Sequence, residues 1–119
     1  HYVVYDLEPL VQAALAAKPY VIGGDLFMLS AHSPSLVAAL DWLVPYANGK
    51  CSHHEFVHIH VQFDKDRTNV GDACYRCTWQ PKSSATLFWL AAQLDSRYLP
   101  VTKQLAERPA DWISACYLK

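Results

Sequence analysis

Residues 54–63, His-Glu-Phe-Val-His-Ile-His-Val-Gln-Phe, constrain this chain more than any other stretch. In a strand, successive side chains point to opposite faces. The odd positions are Glu55, Val57, Ile59, Val61 and Phe63, apolar but for the first, so that face is expected to meet helices. The even positions are His54, Phe56, His58, His60 and Gln62. His58 and His60 then stand side by side, roughly 7 Å apart at Cα by strand rise. Two imidazoles at that spacing can converge on one divalent ion, with a third ligand from elsewhere. The ordinary alternative is a pair of half-exposed strand histidines that bind nothing.

The flanking segments supply the rest of the expected architecture. Residues 2–5 are a short β-like run, and 10–17 have helical spacing closed by Pro19. Residues 25–31 are apolar behind Gly23-Gly24, which suits a buried strand. Ser33-Pro34 opens a helix with Leu36, Val37, Leu40 and Leu43 as its inner stripe, and Asn48-Gly49 ends it. A polar loop is expected over 64–72. Residues 84–98 form an amphipathic helix with Leu87, Leu90, Ala91 and Leu94 on one side. A short strand at 99–102 and a last helix from Pro109, carrying Trp112, Ile113, Cys116 and Tyr117, complete the order. Strands and helices intermix, which predicts an α/β (α+β) domain: a central antiparallel sheet with flanking helices.

Composition narrows the function classes. The chain has 119 residues with no repeat or linker, so residues 1–119 are read as a single domain. A hydrophobic fraction of 52% with 18% charged residues describes a globular chain, not a disordered one. Its apolar stretches are too interrupted to span a bilayer, so no membrane partner is expected. The first residues lack Met and a signal-like apolar core, as expected of a fragment or a processed chain. A net charge of −1 excludes a strongly basic coat but leaves room for a local basic site. Lys65, Arg67 and Arg76 beside the histidine segment are the expected phosphate contacts; ordinary solvated loop charge is the other reading. Cys74 and Cys77 have the spacing of half a structural Zn²⁺ site. Cys51, His53, His54 or Cys116 would have to complete it, and disulfides or reduced core thiols remain open.

The histidine–apolar–histidine segment, followed downstream by Tyr117 on an expected helix and then Lys119, resembles the signature of HUH endonucleases. Residues 86–102 look like the helix and Leu-Pro turn of parvovirus nickase domains, and Ala115-Cys-Tyr-Leu-Lys119 looks like their tyrosine motif. The Asp72-Ala-Cys-Tyr-Arg-Cys77 stretch is similar to densovirus members. The resemblance covers about residues 25–119 and implies a nickase and origin-binding domain of a viral replication initiator. It implies Mg²⁺ or Mn²⁺ at His58 and His60, with Tyr117 attacking a scissile phosphate of single-stranded DNA at a viral origin. It further implies a helicase region C-terminal to this domain, a host-nuclear location and self-association as a candidate property. Two departures stand out. Lys119 follows Tyr117 one residue sooner than the family's tyrosine-x-x-lysine spacing. The third ligand is open among Glu55, which strict alternation sends to the wrong face, Asp25, His54 and Gln62.

The chemistry asks for such groups. Phosphodiester cleavage passes through a highly anionic state that a cation stabilises and orients. A tyrosine of ordinary pKa near 10 needs that help to act as a nucleophile. Tyr98, with Lys103 nearby, is the fallback nucleophile. Other classes remain: a histidine-triad-type nucleotide hydrolase or transferase built on His58-Ile-His-Val-Gln62, a zinc deaminase built on His53-x-Glu55 with Cys74 and Cys77, or a zinc-stabilised binding module without activity.

Overall fold

The computed structural model describes residues 2–20, 35–72, 75–110, 113, 115 and 116. Its first element follows from a helical stripe. Val4, Leu7, Val11 and Ala14 recur at three- and four-residue spacing and are all buried in helix α1 (Tyr2–Ala17). The segment 2–5, expected as β-like, is therefore the first turn of this helix. Burying the stripe outweighs the small helix penalty of its two valines. Pro9 lies inside α1 and Pro45 inside α2 (Leu36–Ala47). The carbonyls each leaves without a helical donor belong to Tyr5 and Asp41, both exposed, so water can satisfy them.

Helix α1 packs against α4 (Ala85–Leu94), the most enclosed element, in which Leu87, Phe88, Leu90 and Ala91 are fully buried. Helix α2 lies against α1 and also meets α5 (Leu99–Leu105). The stripe of α2 is as expected, with Val37, Leu40 and Leu43 buried. Its cap sits at Ser35, whose Oγ accepts from the Ala38 N–H at 3.1 Å. Gly49, at φ +69°, takes the left-handed turn after the Asn48 cap. A 3₁₀ turn at Ser96–Tyr98 joins α4 to α5 and buries Tyr98, whose hydroxyl donates to Asp41 Oδ1 at 2.8 Å. One apolar cluster takes in residues of α1, α2, α4 and α5 together with Trp79 and Ile113.

The architecture is thus mostly helical, and the expected α/β domain with a central antiparallel sheet is wrong. Among the described residues there is no strand, only an isolated antiparallel bridge between His54 and Thr78. Residues 99–102, expected as a strand, open α5 with Pro100 in its first turn. Residues 62–69, spanning the end of the expected strand and much of the expected polar loop, form helix α3 (Gln62–Asn69). The segments 25–31 and Ser33-Pro34 lie outside the described residues, as does most of the helix expected from Pro109, of which Ile113 is helical and buried.

The physical reason is visible at residues 54–63. Neither parity forms a buried face: of the odd positions expected to be buried only Glu55, the polar one, is, whereas Val57, Val61 and Phe63 are 50%, 60% and 59% exposed. Residues 55–58 form a turn in which Phe56 takes a left-handed φ of +57°. That conformation is costly for a bulky residue. Here it stacks the Phe56 ring on Tyr75, with centroids 4.2 Å apart, and Tyr2 meets Phe56 edge-on at 5.9 Å. Backbone bonds hold the turn: Glu55 N–H donates to Cys77 O, Arg76 N–H to Glu55 O, and Trp79 N–H to His53 O.

Candidate functional site

The turn, the short extended segment after it and helix α3 build two adjoining cavities. The larger, of 570 Å³, lies between the start of α1, the exposed side of α2 and residues 53–61. Tyr2, Trp42, Tyr46, Phe56 and Trp79 give it aromatic walls, and His53, His54, His58, His60, Glu55 and Asp64 add titratable groups. The smaller, of 420 Å³, is lined by Val57, His58, Ile59, His60, Lys65, Thr68, Asn69 and Arg76. Residues 57–60 belong to both, so they form the shared wall.

His58 and His60 do come together at this wall, although not by strand alternation. One ends the turn and the other lies in the extended stretch before α3, and both are exposed. Their imidazoles are the titratable groups common to both cavities. Of the expected phosphate contacts, Lys65 and Arg76 line the smaller cavity, and neither forms an ion pair with another described residue. Arg67 is placed elsewhere: its guanidinium meets Asp72 at 3.0 Å and lies 5.2 Å from the centre of the Phe63 ring. Arg67 therefore braces α3 against the loop after it.

The proposed third ligands scatter. Glu55 is buried on the wall of the larger cavity only, and His54 Nδ1 sits 3.4 Å from Thr78 Oγ1. The Gln62 amide donates to Asp66 at 2.8 Å, one helical turn on, and Asp25 lies outside the described residues. Among the described residues no group of three or more His, Cys, Asp or Glu side chains could hold a metal ion. The donor set of this wall is a pair of imidazoles, whereas Mn²⁺ and Mg²⁺ prefer oxygen donors, so such an ion would need further oxygen ligands from phosphate or water. For zinc, Cys74 lies outside the described residues, Cys77 is half-buried, and Cys51 and Cys116 are exposed.

The tyrosines divide clearly. Tyr117 lies outside the described residues. Tyr98, the fallback nucleophile, is enclosed by the core, and its phenol is pushed up well beyond the ordinary value, first by burial and then by its hydrogen bond to the Asp41 carboxylate. A phenol so held gives up its proton reluctantly, which removes Tyr98 as a nucleophile. Tyr75 is also raised, by burial and by donating to Asp64 Oδ1 at 3.1 Å. It buttresses Phe56.

The aromatic walls are what sequence reasoning misses. Trp42 falls inside a segment expected as a helix, and Trp79 in one assigned neither an element nor a role. The available signal is Trp42 itself: a Trp beside a stripe of Val37, Leu40 and Leu43 falls on the outer face of α2, where it is 57% exposed. Comparison with protein-family models, curated proteins and solved structures finds no match for this chain.

Proposed function

We propose that this chain binds single-stranded DNA and nicks it, as the nuclease domain of a viral replication initiator acting in the host nucleus. One observation supports the reading most. Two exposed imidazoles and two cations without an ion-pair partner among the described residues, His58, His60, Lys65 and Arg76, line a single open cavity of 420 Å³. That set matches a phosphodiester: cations neutralise its non-bridging oxygens, and imidazoles can donate hydrogen bonds to it or would help to hold a divalent cation. The order of the His58-x-His60 and Tyr117–Lys119 motifs resembles that of HUH endonucleases and supplies the nucleophile. The sheet of that family is absent among the described residues, so the reading rests on the order of the motifs and on the lining of the cavity.

In the proposed reaction the Tyr117 phenol oxygen attacks the scissile phosphorus. The bond to the 3′ oxygen breaks, the phenol proton passes to solvent, and the departing oxygen takes up a proton as a free 3′-OH. The product is a 5′-phosphotyrosyl link, which conserves the bond for rejoining. Mg²⁺ or Mn²⁺ at His58 and His60, when bound, supplies positive charge against the oxygens of the transition state. Lys65 and Arg76 hold the flanking phosphate in register.

Cleavage of labelled single-stranded origin oligonucleotides in Mn²⁺ tests the reading. His58→Ala and His60→Ala are each expected to lower the cleavage rate by at least about 100-fold, the scale on which losing one preorganised electrostatic group acts. Both substitutions fall on exposed side chains, so the fold is retained. Unchanged cleavage in both variants would remove the histidines from the reaction.

A further inference from the structure

We infer that the two cavities form one nucleotide site, with a flat heteroaromatic ring in the larger and its phosphate in the smaller. The inference deepens the DNA reading, and rests on it for expecting an anion in the smaller cavity. Both volumes, 570 and 420 Å³, fall in the range of about 300–1,000 Å³ typical of small-ligand sites. Their shared wall at residues 57–60 makes them neighbours, as a base and its phosphate are. The larger cavity is walled mostly by apolar and aromatic side chains, whereas its neighbour carries Lys65 and Arg76.

One feature selects a flat aromatic ring over an aliphatic chain. Trp42 is exposed at the cavity, its ring 5.1 Å from that of Tyr46, which leaves a broad π surface for stacking. A nucleobase offers two flat π faces to such a surface, which an aliphatic chain does not.

A binding cycle in EDTA, where no cleavage occurs, tests the site. The probes are a single-stranded deoxyadenosine tetramer, the same tetramer with one central abasic unit, and free deoxyadenosine monophosphate, each titrated calorimetrically. The complete tetramer should bind roughly 5- to 150-fold more tightly than the abasic one, the worth of one stacked base. Trp42→Ala should erase that difference by weakening the complete tetramer alone. Replacing Lys65 and Arg76 together by Ala should weaken both tetramers alike.

Free nucleotide binding within tenfold of the tetramer identifies a soluble nucleotide as the ligand, and tetramer-only binding identifies the strand; either supports the site. Equal affinity of complete and abasic tetramers for the wild type, or a Trp42→Ala loss shared by both, overturns it. Cleavage is not read here. A failed nicking assay with this binding pattern intact overturns only the nuclease reading, and the reverse outcome overturns only the ring pocket.

Discussion

Tyr98 fixes the inner end of the bundle through one oxygen. Its ring is sealed in the core against Phe88, and its hydroxyl reaches Asp41 on α2. Asp41 also meets Arg97 at 3.6 Å, so part of its charge is answered elsewhere. Tyr98→Phe is therefore expected to cost about 1–2 kcal/mol in urea unfolding, with the denaturant slope unchanged. The sign of the pH effect follows from the raised folded-state phenol. Its contribution is complete below the unfolded value of about 10 and declines as pH rises through and beyond it. Wild-type stability should fall in alkali more steeply than that of Tyr98→Phe; parallel curves would show that burial does not perturb this phenol. Nothing in the sequence marks Tyr98 for this role, because its partner lies on a helix far along the chain. The left-handed Phe56 is equally hidden: its conformation comes from stacking on Tyr75, a long-range contact.

At the scale of elements, legibility follows burial geometry. The stripe of α2 and the heart of α4 can be read directly, because a 3.6-residue apolar period has one common solution in a helical core. The sequence signal for the cap of α2, Ser33-Pro34, falls two residues early, whereas Ser35 makes the hydrogen bond. Ser35→Ala should cost about 1 kcal/mol, measured as a shift in urea midpoint. A change under about 0.3 kcal/mol would mean another group caps α2. Residues 54–63 mislead for an opposite reason. Alternating apolar residues are buried only when neighbouring strands and a covering layer exist. Here the partner segment meets them at a single bridge, and the alternation dissolves into a turn, a short extended stretch and α3. His58 and His60 still share a wall, since two residues apart is near in either conformation.

At the scale of the molecule, a core of α1, α2, α4 and α5 carries a separate layer of turn and α3, and both cavities lie where that layer joins. The cations divide accordingly: Lys65 and Arg76 line the smaller cavity, and Arg67 braces α3. Substituting Lys65 and Arg76 by Ala should reduce the salt slope of single-strand binding by about 0.7 for each phosphate that is no longer neutralised. Arg67→Ala should leave the slope alone, because its guanidinium is committed to Asp72 and Phe63. Fluorescence anisotropy across a salt series distinguishes them, and a slope lowered by Arg67→Ala would place DNA on the opposite side of α3.

The nicking reading is tested most directly by the covalent intermediate. Wild-type protein incubated with single-stranded origin oligonucleotides and Mn²⁺ should yield a protein–DNA adduct whose digestion maps the 5′-phosphate to Tyr117. Tyr117→Phe should bind the same DNA and form no adduct. An adduct that persists in Tyr117→Phe, or folded wild-type protein that forms none across a broad oligonucleotide panel, would contradict the account.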